Sequence, residues 1–380
     1  MDITPDRTTF LEMIKSLRDL GHDVVLVTGC YSKREKYGLG EKLVHLPTIR
    51  QPYFNQASFF LFGVISFWHQ LLTFRPDVVV LDPYTFFIAF PIDLISKLGF
   101  LHIKFILDIR SYTFFDGLIK KSVKNKLSEF LFNISLLYSS KVFSGITVIS
   151  PLMKSQISKR YGFSEDRVGQ WSSGVNIESF NPDLPGLHER IPQFNDRFII
   201  MYHGTLSASR RLDLVIKALP LVIHEIPELL LCIMGQGPLE AELKRLVSEL
   251  KLRNNVHFEP AHVLNEVPKF VFSCNFGILP YPLLNYWETS SPIKFFEYLA
   301  MNKPVIATNL AAFRDVINAM QVCVFIQELN PEGIAGAISN AYEEFQANPE
   351  LGRGGREVAS RFTWRNQALA FVNFVETFNG

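Results

Sequence analysis

Cysteine is scarce in this 380-residue chain, with four at Cys30, Cys232, Cys274 and Cys323. They are scattered without the spacing of metal ligands, and three sit in apolar runs, where a free buried thiol is the ordinary outcome. The chain is therefore no disulfide scaffold, and a reduced, cytosolic compartment fits. An excess of one charge is also missing. Lys and Arg number 38 and Asp and Glu 37, a net +1 that gives no general pull toward nucleic acid. The imbalance is only local, +4 over residues 1–185 and −3 over the remainder. Long apolar runs are absent as well. The two most apolar, 58–68 and 84–95, fall short of the ~20 residues a bilayer span needs, and the second contains Pro91 and Asp93. No signal peptide is visible, and there are no repeats or low-complexity tracts. What remains is a soluble chain, peripheral to a membrane at most.

The length suits two domains. Apolar runs of strand length occur at 24–28, 78–81, 104–107 and 146–149, then at 198–202, 229–234, 256–258, 276–279, 305–307 and 322–325. Amphipathic helical patterns lie between them, at 8–20, 212–224, 238–250 and 331–345. Alternation in both halves predicts two α/β domains with parallel sheets. The Pro-rich stretch 181–192 reads as the linker. The expected domains are 1–182 and 183–363, with a last helix, 364–380, returning to the first. The first helix begins almost at once after Asp2-Ile3-Thr4, so the opening strand of the first domain is short or missing.

Three loops in the second half follow predicted strands, where open α/β sheets bind ligands. The first is His203-Gly204-Thr205-Leu206-Ser207-Ala208-Ser209-Arg210-Arg211-Leu212-Asp213. Its glycine permits close backbone approach, and its arginines can clamp a diphosphate. The second is Met234-Gly235-Gln236-Gly237-Pro238, a tight strand-to-helix turn. The third, Ser290-Ser291-Pro292-Ile293-Lys294-Phe295-Phe296-Glu297, runs into a helix whose free N–H groups and dipole suit a phosphate. Lys294 in that first turn opposes the dipole, which makes sense if an anion sits between them. Glu297, one turn on, can accept bonds from hydroxyls. Phosphate and hydroxyls together point to a nucleotide or nucleotide sugar.

These segments resemble those of the GT4 family of retaining glycosyltransferases, which have the GT-B fold. Gly204…Arg210-Arg211-Leu212-Asp213 is similar to the pattern G-x-L-x-x-x-K/R-G-h-D, where h is an apolar residue. Met234-Gly235-Gln236-Gly237-Pro238 is similar to h-G-x-G-P. The run Ser291 to Ala300 with Lys303-Pro304-Val305 is similar to S-P-x-K-x-x-E-Y-h-A-x-x-K-P-V. The resemblance covers roughly 145–370 well and the first 140 residues loosely. It implies two Rossmann-like domains facing a central cleft. It implies a sugar moved from a UDP- or GDP-linked donor to a hydroxyl of a glycan or lipid-linked acceptor. Arg210, with Arg211 as the alternative, and Lys294 would hold the diphosphate and act in catalysis. Gly204, Thr205, Gly235, Gly237, Ser290, Ser291, Pro292 and Ile293 would line the donor. Glu297 would bind the ribose, and Phe258 and Pro260 would face the base. Relatives often carry arginine at the place of Thr205. They also pair two glutamates across seven residues, where this chain has Thr289, with Glu288 one residue away.

In the first half, Asp108, Arg110 and Tyr112 end a predicted strand. They read either as an internal ion pair or cap, or as groups that orient acceptor hydroxyls; by resemblance Asp108 is also a catalytic candidate. No Asp-x-Asp pair occurs, so no metal or other cofactor is expected. Residues 119–127 begin a basic helix, Lys120, Lys121, Lys124 and Lys126 forming either a solvated face or a site for anionic lipid. Two other functions are compatible with the same pattern: a nucleotide-sugar epimerase, and a catalytically impaired scaffold subunit of a glycosylation complex.

Overall fold

A computed structural model describes residues 5–30, 43–47, 54–111, 123–187, 191–261, 266–317 and 322–379. Two compact units emerge, Met1–Ser172 with Gln367–Gly380, and Ser173–Asn366.

In the first unit, β1 (Leu26–Cys30) pairs in parallel with β2 (Leu43–Pro47) as a separate two-stranded sheet. A second parallel sheet runs β3 (Val78–Leu81), β4 (Lys104–Ile109), β5 (Gly145–Val148), β6 (Val168–Gln170), in that order. The first helix, Pro5–Asp19, precedes β1. Strands β4 and β5 are apolar nearly end to end because crossover helices cover them; Leu107, Ile109, Ile146 and Val148 are fully buried.

In the second unit six parallel strands form one sheet. They are β7 (Phe198–His203), β8 (Leu229–Met234), β9 (Val256–Glu259), β10 (Phe276–Leu279), β11 (Val305–Thr308) and β12 (Cys323–Ile326). The order is β12-β11-β10-β7-β8-β9. Connections run outward in one direction from β7 and in the other from β10, so the switch point of this doubly wound sheet lies between those two strands. Every residue of β7 and β8 is buried. Helix Leu212–Val222 turns its apolar stripe inward and packs beside helix Pro331–Ala347, which Asn330 caps by accepting a 2.7 Å bond from the Gly333 amide. Cys232 and Cys274 are free and buried, and Cys323 is free and half-buried.

The chain crosses between units at Ser172–Ser173, ten residues before the expected boundary at 182/183. The reason is anchoring on the far side. Val175 donates to the Phe362 carbonyl at 2.8 Å, and Phe180 is buried in the second core. Arg356 ties the segment down through the carbonyls of Ile177, Phe180 and Ala300, at 2.7–3.0 Å. The Pro-rich stretch is no linker, since Leu187, Ile191 and Phe194 are buried in that same core. Helix Trp364–Glu376 leaves the second unit and returns to the first. There Gln367 accepts the Ser172 amide at 2.6 Å, and Ala368 and Phe371 pack with Met13 and Trp171.

Candidate active site

At the carboxyl end of β7, Gly204 turns the chain with φ +123°, a conformation that favours glycine. A Cβ there would stand 2.8 Å from Lys294 Nζ and would collide with Lys294 Cε. Gly235, at the end of β8, has φ +145°, and a Cβ on it would strike the Gly204 carbonyl oxygen. A Cβ on Gly237 would strike the backbone of Leu206. The two loops are joined by backbone bonds, Gly204 to Met234 at 2.9 Å and Leu206 to Gln236 at 3.0 Å. The glycines are thus what allows two loops and a lysine to share one small space.

Helix Ile293–Ala300 points its start into this space. Its N-cap is Pro292, whose side chain makes no capping hydrogen bond to the first amides. Lys294 lies in that first turn and Glu297 one turn deeper, 8% exposed. Burial and the neighbouring charge of Arg210 hold Lys294 down to about 8, against the pull of Glu297. Burial pushes Glu297 up to about 7, against the pull of Lys294. Lys294 thus feels the repulsion of a second cation, Arg210, and the attraction of a buried carboxylate.

Arg210 packs over two rings, 4.5 Å from the Trp287 centroid and 5.0 Å from that of Tyr281, which themselves stack at 4.2 Å. Its Nε is buried without a hydrogen-bond partner. Sequence reasoning missed this aromatic support, because Tyr281 and Trp287 lie over seventy residues from Arg210. It also missed His203. That side chain is 6% exposed, its Nε2 is 3.4 Å from Glu297 Oε2, and its ring meets Tyr298 edge-on at 5.1 Å. Burial, aided by the charge of Lys294, lowers His203 to about 3, so its ring is neutral at physiological pH.

Arg211 takes a different part from Arg210. It is bound to Asp213 at 3.3 Å and has φ +50° at the head of helix Leu212–Val222. The pattern it resembles has glycine at this place, so a side chain is carried in a left-handed backbone at some cost. Arg211→Gly is expected to stabilise the protein by about 1 kcal/mol, because the ion pair it loses is largely solvated. Urea denaturation measures this; destabilisation would show that the arginine's own contacts outweigh the strain.

Other residues of the third loop have structural tasks. Ser290 Oγ donates to the Trp287 carbonyl at 2.8 Å, and Ser291 Oγ accepts the Ser173 amide at 2.9 Å. Thr289 is fully buried, its hydroxyl on the Asn285 carbonyl at 2.8 Å. Glu288 accepts the Ala311 amide at 2.6 Å, at the start of helix Ala311–Ile317. The side chain nearest the place of a first glutamate is therefore a helix cap. Thr205 is exposed, and its carbonyl accepts the Tyr202 hydroxyl at 3.0 Å. Phe258 and Pro260 line a hollow of about 170 Å³ with Gly235, Gln236 and Lys244, at the ends of β8 and β9.

In the first unit, Asp108 is 2% exposed and accepts the Thr147 hydroxyl at 2.6 Å. Burial raises its pKa, against the opposing pull of Arg110. Arg110 lies 4.0 Å from Asp108, donates to the Trp171 carbonyl at 3.0 Å and sits 3.7 Å over the Trp171 ring. The pair is built into its own sheet. Tyr112 lies outside the described residues.

A doubly wound domain with a glycine-lined, cationic space at its switch point defines a nucleotide-binding fold of the GT-B type, and known proteins agree. Residues 7–179 match Glycosyltransferase Family 4 and residues 197–344 match Glycosyl transferases group 1, and the chain belongs to this GT4 group of glycosyltransferases. D-inositol 3-phosphate glycosyltransferase of Paenarthrobacter aurescens is 22% identical over 237 residues, 61% of this chain and 57% of that protein. Putative glycosyltransferase EpsD of Bacillus subtilis is 26% identical over 204 residues, 50% of this chain and 49% of that one. The chain spans about half the length of these curated relatives. Anabaena Alr3699/HepE, solved with UDP, superposes with a TM-score of 0.75 at 12% identity, over 98% of this chain and 96% of that chain. WaaG, a glycosyltransferase involved in lipopolysaccharide biosynthesis, gives 0.71 at 14% identity, over 100% and 97%. These two structures share the fold.

Proposed function

We propose that the protein is a retaining glycosyltransferase that moves a sugar from a nucleoside-diphosphate sugar to a hydroxyl of a glycan or lipid-linked acceptor. The observation that carries this reading is the meeting of Lys294, Arg210 and an uncapped helix start over Gly204. In the reaction the bond between the anomeric carbon and the diphosphate oxygen breaks. The acceptor oxygen bonds to the same face, and its proton passes to a leaving phosphate oxygen. Lys294, Arg210 and the first amides of helix Ile293–Ala300 receive the charge that develops on the diphosphate. Glu297 accepts bonds from the ribose hydroxyls, with the neutral ring of His203 3.4 Å from its carboxylate. Phe258 and Pro260 offer the base an apolar wall. UDP is the first nucleotide to try, since HepE was solved with UDP. The chain's own cations take the place of a metal in this scheme, so activity should survive a chelator.

A thermal-shift panel of UDP, GDP, ADP and CMP tests the reading, because a ligand of the folded state raises the midpoint by mass action. Stabilisation by one of them is the expected result. No shift with any would overturn it in favour of a scaffold subunit. The pH profile is a second check. Lys294 holds its proton below about 8 and sheds it above, far earlier than an ordinary lysine. Donor kcat/KM, which reports the free enzyme, should therefore fall as pH rises through about 8. A profile that stays flat into the ordinary lysine range would remove Lys294 from the diphosphate site.

A further inference from the structure

The first unit turns apolar side chains outward on three neighbouring elements. On helix Val123–Val142, Leu127, Phe130, Ile134 and Leu137 are 56%, 59%, 36% and 51% exposed. Their spacing of three, four and three places them on a single stripe. After helix Ile92–Lys97 come Leu98 at 65% and Phe100 at 76%, the latter the most exposed large apolar side chain among the described residues. Lys97 and Val142 line one cavity, so this loop stands beside the end of the long helix. Helix Phe54–Thr73 has no charged residue and exposes Leu61, Ile65, Trp68 and Leu72, again on one stripe. It reaches the long helix through a row of rings, Phe60 4.8 Å from Phe87, Phe87 5.3 Å from Phe86, and Phe86 5.7 Å from Tyr138 of that helix. Outward apolar stripes on adjacent helices are more than a soluble surface ordinarily carries.

The described charges on these elements are mostly positive. Lys97, Lys126 and Lys141 are exposed, whereas Asp93 is buried and Glu129 half-buried. Lys126 and Lys141 are exposed and close the two ends of the long helix's stripe, whereas its one acid, Glu129, falls on another side by the helical turn. We propose that this face docks on an anionic lipid bilayer. The apolar stripes and the aromatic rings of Phe100, Phe130 and Trp68 enter the headgroup boundary, and the lysines reach the phosphates around it. A second copy of the chain suits the face less well, since a two-fold contact would set lysine against lysine. The inference does not depend on the donor-site reading.

Co-sedimentation of the full chain with vesicles tests it, using phosphatidylcholine alone or mixed with phosphatidylglycerol. Binding is expected only to the mixed vesicles and should weaken with added salt. Lys126→Glu and Lys141→Glu should each cost about fivefold or more in partitioning. Phe100→Asp with Phe130→Asp should abolish it. Leu221→Asp, on an exposed site of the second unit, should leave it intact. Thermal melting of every variant should stay near that of the parent, because all the changed side chains are exposed. Absence of binding to the mixed vesicles, or binding that the lysine reversals leave unchanged, overturns the proposal. So does a dimer, seen by sedimentation velocity, that the two Phe→Asp changes dissociate while vesicles bind nothing.

Discussion

Lys294→Ala lowers transferase turnover by at least ~10²-fold while the fold is kept. That is the expected result, and its size follows from removing a preorganised cation from a space where charge develops. The lysine is held in place by what surrounds it. Its stem lies against Gly204, its charge faces Arg210, and the carboxylate that draws it is Glu297. Alanine removes the like-charge repulsion, so stability should change little, but under the proposed function it leaves only Arg210 and the helix start for the diphosphate. Nucleotide affinity should fall in the same variant, and Glu297 should remain protonated to higher pH than in the parent, because the charge that draws it down is gone. Steady-state kinetics at saturating and at limiting donor separates binding from turnover. Circular dichroism confirms that folded molecules are being compared. Wild-type turnover per folded molecule would refute the assignment.

Much of the fold could be read from local pattern, because buried parallel strands are written as continuous apolar runs. Phe198–His203 and Leu229–Met234 are of this kind. The two strands without an expectation lack that signature. Val168–Gln170 is three residues long, and its Gly169 is there because the Phe374 ring presses on the backbone. Leu43–Pro47 is interrupted by His45 and ends in proline. The site divides along the same line. Gly204, Gly235 and Lys294 could be picked out as candidates because loop chemistry is local, and a lysine at a helix start is odd without an anion. What sequence could not supply was the choice among neighbours. Arg210 and Arg211 look equivalent in one dimension. In the structure one lies on Trp287 and Tyr281, and the other is turned aside by a positive φ. Glu288 looks like a displaced sugar ligand in the sequence, yet in the structure it is bonded to the Ala311 amide. His203 gave no signal at all, since its relation to Glu297 spans ninety-four residues.

Gly235→Ala should be the most damaging single-methyl change in the second unit. Two costs coincide there. The backbone sits at φ +145°, where a side chain is strained, and the added Cβ would meet the Gly204 carbonyl oxygen, a backbone atom that cannot swing away. Relief requires the loop after β8 to part from the loop after β7. That movement would break the bonds from Gly204 to Met234 and from Leu206 to Gln236, and would shift the glycine against which Lys294 rests. A loss of roughly 2–4 kcal/mol is expected from strain and broken bonds together, accompanied by loss of nucleotide binding. Gly336→Ala supplies the contrast. Gly336 lies inside helix Pro331–Ala347, and a methyl added there would meet nothing within 4 Å, so alanine should stabilise by roughly 0.5–1 kcal/mol through the ordinary helix preference. Urea denaturation of both variants, with a nucleotide titration of each, measures the difference. If Gly235→Ala is as stable as its parent and still binds nucleotide, the two loops do not depend on each other as described, and the glycine pair is not what shapes the candidate site.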